Sequence, residues 1–319
     1  MVDRNAGENM VLIPNKRGIF FTLIAISLMS LLLISVSIYS LAQDRENVGN
    51  RIETMNNYVF SFEKDLTRKL YISGFRIIFL YEKRMLETGN YIVDVDATFS
   101  EAFLNGTIEG VVNNDELLLL EGVTFSNISR DLNNDAAKVN IKINLTNPVI
   151  LISQEDPWNI KIDLTVDLLI EDIGGLAYWN RTANFEAYIP ITNFEDPLYL
   201  IETNGFIAHK INITPYNSTE FVDGSDVTKL TDHLNNFYYI DNTDAPSFLK
   251  RLEGDFSSDP NGIESLVNIQ ALSSAGIGVV DKVIVDHIYF SSANPSGSTY
   301  SGMPSWFKLD SGHEGTYGL

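Results

Sequence analysis

The residue types that could do chemistry are present, but their spacing does not organise them. The four histidines, His209, His233, His287 and His313, belong to no HExxH, HxH or His-x-x-Glu arrangement, the spacings that bring two metal ligands onto one face. Structural or surface roles are the simpler reading for all four. Asp286 beside His287, and Asp310 near His313, offer acid–base partners, yet neither comes with a nucleophile in a G-x-S-x-G elbow. The stretch EGDFSSDPNGIE gathers Glu253, Asp255, Asp259, Asn261 and Glu264 around Gly262, a set of hard oxygens that suits calcium. It lacks the D-x-D-x-D-G spacing of an EF-hand and Pro260 interrupts it, so a plain turn is the simpler reading. Paired carboxylates for glycoside hydrolysis need only a spatial separation of ~5–10 Å, and 42 acidic residues make chance pairs inevitable. Gly174-Gly175 and Gly276-Ile277-Gly278 lack the further glycine and the Lys-Ser/Thr of nucleotide-binding loops. No catalytic, cofactor-binding or metal-ligating residue is assigned, and the chain is read as a non-enzyme without a cofactor.

Composition narrows the classes further. The 319 residues exceed the ~150-residue scale of one ordinary domain, which suits an anchor plus one or two folded units. A net charge of −20, from 42 acidic against 22 basic residues, argues against a nucleic-acid surface, because phosphate binding needs clustered Lys and Arg. The absence of cysteine excludes disulfides, thiolate metal sites and thiol nucleophiles, leaving the core to stabilise the fold.

The elements that would position any site begin with NKRGIFFTLIAISLMSLLLISVSIYSLAQDRE. From Ile19 to Ala42 the chain runs 24 residues without a charge. At ~1.5 Å per residue that spans roughly 36 Å, enough for a ~30 Å hydrocarbon core. Three readings stay open: a removed leader, a retained anchor, or the assembly stem of a filament. Length favours a retained helix over a leader, whose apolar region is usually ~7–15 residues, although Ser40-Leu41-Ala42 is a small-x-small cleavage pattern. Lys16 and Arg17 abut the run on its N-terminal side, while Asp44, Arg45 and Glu46 open the other flank, so positive-inside bias keeps residues 1–18 cytoplasmic. Six N-glycosylation sequons begin at Asn105, Asn127, Asn144, Asn180, Asn212 and Asn217, all on the side this topology exposes, though chance alone would give about four.

The fold class read from periodicity is α+β: an N-terminal transmembrane helix extended by a long amphipathic helix, packed on an antiparallel β-sheet domain, with a second, smaller mixed α/β region. Val48, Ile52, Met55, Val59, Phe62 and Leu66 alternate spacings of four and three, and Leu70, Ile77 and Leu80 extend that face. The seam suits packing on the chain's own sheet, with coiling against other chains as the alternative. KVNIKINL, NIKIDLTVDLLI and YWNRTANFEAYIPI alternate apolar and polar residues as half-buried strands. EDIGGL makes a hairpin between the latter two. Val139 and Trp179 are assigned inward faces; Asn144 and Asn180 are assigned the wet face. A short helix in SNISRDLNNDAAKV is expected to be capped by Ser126, LYLIET to close the meander, APSFLKRLEG and IESLVN to be helical, and VIVDHIYF to be a strand. The organisation is then 1–18 short cytoplasmic leader, 19–42 transmembrane helix, 43–88 amphipathic stem, 90–204 β-rich ectodomain and 205–319 C-terminal mixed region.

Lys16-Arg17-Gly18, followed directly by the apolar stem, an amphipathic extension and a sheet, resembles the organisation of archaeal type IV pilins and related proteins with class III signal peptides. The resemblance implies a membrane peptidase that cuts between Gly18 and Ile19 and an apolar helix that packs into a filament core. Leu23 stands where many bacterial pilins carry Glu at the fifth mature position, and the remainder is large for a major pilin. RGIFFTLIAISL, ETMNNYVFSFEKDL, YISGFRIIFLYE and GMPSWFKLD also resemble a family of membrane-anchored surface proteins from archaeal genomes, which implies a topology without an activity. The function read from the sequence is a single-span, membrane-anchored extracytoplasmic protein with a structural or binding role at the cell envelope. Its partners are the lipid bilayer and, through the stem, further copies or other envelope proteins. The alternatives are an anchored receptor for a sugar, peptide or metal, using aromatics such as Tyr238, Tyr239 or Trp306, and behind it an anchored hydrolase.

Overall fold

The computed structural model describes residues 16–110, 118–217 and 220–319. The chain divides into two compact units, one ending at Tyr58 and the other running from Val59 to Leu319. Helix α1 is assigned to Lys16–Thr88 and is followed by α2 (Val95–Asn105) and α3 (Phe125–Ala137). The apolar stretch inside α1 is helical throughout, as an unbroken run of Leu, Ile, Ser and Phe with no proline permits.

The core of the second unit is a sheet of three antiparallel strands, β1 (Ile141–Asp156), β2 (Asn159–Asp172) and β3 (Tyr178–Pro190), in sequence order. Every even residue of β2 from Ile160 to Ile170 is buried, facing Ala183, Phe185, Ala187 and Ile189 of β3 on the same side. The alternation legible in the sequence is therefore the observed one, and Asn144 and Asn180 are exposed. β1 adds a feature that simple alternation hides. Between Thr146 and Val149 its register slips, Asn147 takes φ +51° and Pro148 follows. The inward set then changes from Ile141, Ile143 and Leu145 to Ile150 and Ile152, leaving Val149 and Leu151 exposed, as a bulge requires.

Residues Phe62, Leu66, Leu70, Ile77 and Leu80 of the stem seam are all buried, so this part of the seam packs within the unit. Phe62 meets Phe185 edge-on with ring centroids 6.3 Å apart. Gly74 is the point of closest approach: a Cβ there would lie 1.9 Å from Ile162 Cδ1 and 2.6 Å from Ile189 Cδ1. Thr124, not Ser126, caps α3 by accepting from the Asn127 amide; the helix starts two residues earlier than expected. Val139 precedes β1 and is exposed, and Trp179 is only half-buried, because the inward row of β3 starts at Ala183.

Beyond the sheet, three assignments from the sequence are overturned. LYLIET does not close the meander: Pro197–Glu202 is a short helix, α4, with Asp196 as its cap and Pro197 at its first turn, the pattern that a strand reading misses. IESLVN supplies strand β6 (Ile263–Ser265) rather than a helix, and VIVDHIYF supplies helix α8 (Asp286–Phe290) rather than a strand. In runs this short, periods of 2 and 3.6 are indistinguishable, and burial on all sides erases the contrast. β6 joins β4 (Asn212–Ile213) and β5 (Tyr238–Asp241) in a small mixed sheet, β4 parallel and β6 antiparallel to β5. Helices α5 (Thr228–Asn235), α6 (Phe248–Glu253) and α7 (Ile269–Ser274) belong to the same region, and α5 packs on β5. Its apolar core includes Tyr199, Phe221, Leu266, Ile284 and Phe307. APSFLKRLEG is helical only from Phe248 to Glu253, with Ser247 at its start and Gly254 at φ +69° at its end.

Candidate functional sites

The apolar segment presents the largest chemical anomaly. Sixteen large apolar side chains from Ile19 to Leu41 are 39–70% exposed. The four consecutive residues Leu31, Leu32, Leu33 and Ile34 are each more than half exposed; at ~100° per residue they sample the whole circumference. A soluble surface helix would hide one such stripe. By length and composition this helix can cross a membrane. Gly18 and Ile19 lie in it, Gly18 with nothing near its missing Cβ and Ile19 exposed. Of the sequon asparagines, Asn105, Asn144, Asn180, Asn212 and Asn217 are exposed and Asn127 is half-buried; Ser218 and Thr219 lie outside the described residues. Asn144 pairs with Leu169, which pairs with Asn180, so these two sequons stand in one row across the sheet, roughly two strand spacings or 10 Å apart.

A second concentration of chemistry lies inside the C-terminal region, around Arg251 on α6. Its side chain is fully buried and spends all five N–H groups. Nε donates to Pro246 O, and Nη1 to Asp196 Oδ2 (2.7 Å) and Asp286 Oδ2 (2.9 Å). Nη2 donates to Asp286 Oδ1 (3.3 Å) and to the Ile263 carbonyl. Asp286 also accepts from Ser265 N, Ser265 Oγ and His287 N, while Asp196 accepts from Leu198 N and Tyr239 OH. Burial pushes the Asp286 carboxyl up, but Arg251 and the His287 side chain override it and hold it well below the usual carboxylate range. At Asp196 burial prevails over Arg251 and the pKa is raised.

A charged branch adjoins this cluster. His313 Nδ1 lies 2.7 Å from Asp310 Oδ1, its Nε2 lies 3.3 Å from Glu264 Oε2, and Asn242 Nδ2 donates to that same oxygen at 2.9 Å. Burial lowers the basicity of His313, but Glu264 and Asp310 outweigh it and push the pKa up to about 9. Burial instead lowers His209 and His233 to about 4. The histidines separated in sequence are thus three-quarters internal: His233, His287 and His313 are buried and His209 is half-buried against Tyr199 and Phe237. His287 and His313 come within 5.8 Å, ring centre to ring centre, a proximity their 26-residue spacing conceals.

The acidic stretch does not converge. Glu253 accepts from the Val95 amide, Asp255 from Ser257, and Asp259 from Asn261, while Glu264 turns inward to His313. Among the described residues no group of three His, Asp or Glu side chains is placed to hold a metal ion. Tyr239 is fully buried with its hydroxyl on Asp196, so it offers no ligand platform; Tyr238 and Trp306 are half-buried. A polar cavity of about 500 Å³ opens beside the branch, lined by Thr214, Tyr216, Asp241, Asn242 and Thr316 among others. The Arg251 cluster had a partial sequence signal, the Asp-Pro helix start at Asp196; nothing marked Arg251 or Asp286 as its partners. Comparison with family models, with curated proteins and with solved structures finds no match to this chain.

Proposed function

We propose that this chain is a single-span, membrane-anchored protein whose folded unit acts outside the cytoplasm in a structural or binding role, without catalysing a reaction. The observation that carries this reading is the all-round exposure of apolar side chains from Ile19 to Leu41, which water would penalise by about 25 cal/mol per Å² and lipid would not. The Arg251 cluster serves the fold itself, because all its N–H groups are engaged and none faces solvent. The Lys16-Arg17-Gly18 boundary carries the further proposal of a pilin-like subunit, in which the exposed helix packs against other copies.

The N-terminus of the mature protein tests these together. Ile19 supports the pilin-like route, Gln43 means a discarded leader, and intact Met1 makes the chain a signal-anchor protein and removes the filament reading. Orientation is tested by glycan occupancy at Asn144 and Asn180; labelling of the folded unit by cytoplasmic probes contradicts it. The polar cavity beside Asn242 favours a second reading, an anchored receptor for a small polar ligand such as a sugar. Saturable, Asn242-dependent binding in a glycan screen supports it, and no binding leaves the structural role.

A further inference from the structure

The β2–β3 hairpin ends in a tip that is apolar where a surface turn is ordinarily polar. From Ile173 to Asn180 the chain reads Ile-Gly-Gly-Leu-Ala-Tyr-Trp-Asn, eight residues without a charge in a protein carrying −20. Ile173 is 64% exposed, Leu176 52% and Tyr178 73%, with Trp179 half-buried beside them. Val139 is also exposed, and the neighbouring Asn140 carbonyl accepts from the Ile173 amide.

Four amides around the tip are engaged within the turn and its neighbours. Ile173 N donates to Asn140 O, Gly175 N to Asp172 O, and Leu176 N to Asp172 Oδ2, while Asp172 N donates to Ala177 O. The nearest carboxylate, Asp172, is turned inward and only 6% exposed; it serves as an internal brace for the turn. Gly175 closes that turn at φ +72°, and a Cβ on Gly174 would lie 2.8 Å from Asp172 Oδ2, so the close brace requires glycine there. Exposed aliphatic side chains and a Tyr-Trp pair are what the interfacial layer of a bilayer accepts.

We propose that residues 173–179 dock into the headgroup and upper acyl layer of a lipid bilayer as a second membrane contact. The inference rests on the anchored reading above: covalent tethering supplies a high effective concentration of bilayer, so a contact too weak to act alone suffices. Asn180 and the Arg181–Glu63 ion pair mark where polar surface resumes and limit insertion. With no charged side chain from Ile173 to Asn180, the contact is apolar in character.

The absence of native cysteine makes the test direct. The full chain is reconstituted into phosphatidylcholine nanodiscs as three single-cysteine variants, Leu176→Cys, Leu32→Cys and Phe206→Cys, each carrying an environment-sensitive fluorophore. Shallow-doxyl lipid is expected to quench the label at 176, deep-doxyl lipid the label at 32, and neither the label at 206, where Phe206 is 73% exposed outside the tip. Adding Ile173→Ser and Tyr178→Ser to the 176 variant abolishes its quenching. An unquenched 176 label beside a quenched 32 label overturns the tip contact and leaves the anchor standing. A 176 label shielded from aqueous iodide yet untouched by doxyl lipid overturns it in favour of a protein partner. An unquenched 32 label removes the anchor and this contact with it.

Discussion

Replacing Arg251 by Met leaves two carboxylates, Asp196 and Asp286, fully buried without their shared cation. Of the five donated hydrogen bonds, three end on these carboxylates, and the two acids then face each other across the vacated site. Breaking a buried pair by removing one partner costs about 3–5 kcal/mol, because the surviving charge keeps its desolvation penalty. Against a typical domain stability of about 5–15 kcal/mol this is a large share. Arg251→Met is therefore expected to unfold many degrees below the parent in a circular-dichroism melt of the full chain in detergent. The carboxylates supply the control. Asp196→Asn with Asp286→Asn removes the orphaned charges, so Arg251→Met should cost at least 2 kcal/mol less in that background than in the parent. Two results would refute the reasoning: a parent-like melt for Arg251→Met, or the same cost in both backgrounds, which would mean that packing rather than charge governs the site.

Other substitutions probe the remaining buried charges and close approaches. His313 keeps its proton to about pH 9 when folded and to about 6.5 when unfolded. Its contribution is fully present below about pH 6.5 and lost as pH rises through 9; discounted for partial hydration it is about 2 kcal/mol, read as a shrinking gap between parent and His313→Gln denaturation midpoints from pH 6 to pH 10. At Glu82 the raised pKa reflects a penalty rather than a gained partner: burial raises its carboxyl to about 9 although one oxygen accepts from the Glu195 amide at 2.7 Å. Between about 4.5 and 9 the unfolded state binds fewer protons than the folded one, so the parent loses stability as pH rises. Glu82→Gln keeps the acceptor and should stabilise by on the order of 2 kcal/mol at pH 7 and less at pH 5; a variant weaker than the parent at pH 7 contradicts this. Gly74→Ala drives a Cβ to 1.9 Å from Ile162 Cδ1 and should cost about 1–3 kcal/mol, recovered in part by Ile162→Val with Ile189→Val.

Legibility in the sequence followed the range of the interactions. Strands β2 and β3 could be read because one face is wet and the other dry, which writes period 2 directly into NIKIDLTVDLLI. The buried seam through Phe62, Leu66 and Leu70 could be read for the same reason at period 3.6. β1 was legible only to Thr146, since the Asn147-Pro148 bulge inverts its alternation and makes VILIS look apolar on both faces. In the C-terminal region the elements are short and surrounded, so Leu198, Leu266 and Val285 carry no directional contrast; LYLIET, IESLVN and VIVDHIYF were each assigned the wrong element. The Arg251 cluster is a long-range contact set in which Asp196, Ser265 and Asp286 are 55, 14 and 35 residues away from it. Charge pairing at such separations leaves no periodic trace.

The absence of cysteine gives that cluster its significance. Without cysteine no disulfide can join distant segments; here one guanidinium touches α6's own entry at Pro246, β6 at Ile263, the α4 cap at Asp196 and the α8 start at Asp286. It joins four segments as a covalent staple would, but differently in energetic terms. A disulfide acts mainly on the unfolded chain, whereas a buried ion cluster is often no more stabilising than a well-packed apolar replacement. Its gain is specificity, because any misregister of α4, β6 or α8 leaves a buried charge unpaired at several kcal/mol. Tyr239 and Ser265 extend that constraint to β5 and to the polar cavity edge through neighbouring Ile240, Asp241 and Asn242. A rigid, uniquely registered region behind an open polar cavity is what a binding surface requires of its support. By this logic Asn242→Ala removes a donor from Glu264 and a wall of the cavity together, while Ser265→Ala alters only the support. Loss of ligand capture in the first but not the second, at matched stability, would locate binding in the cavity and not in the cluster beneath it.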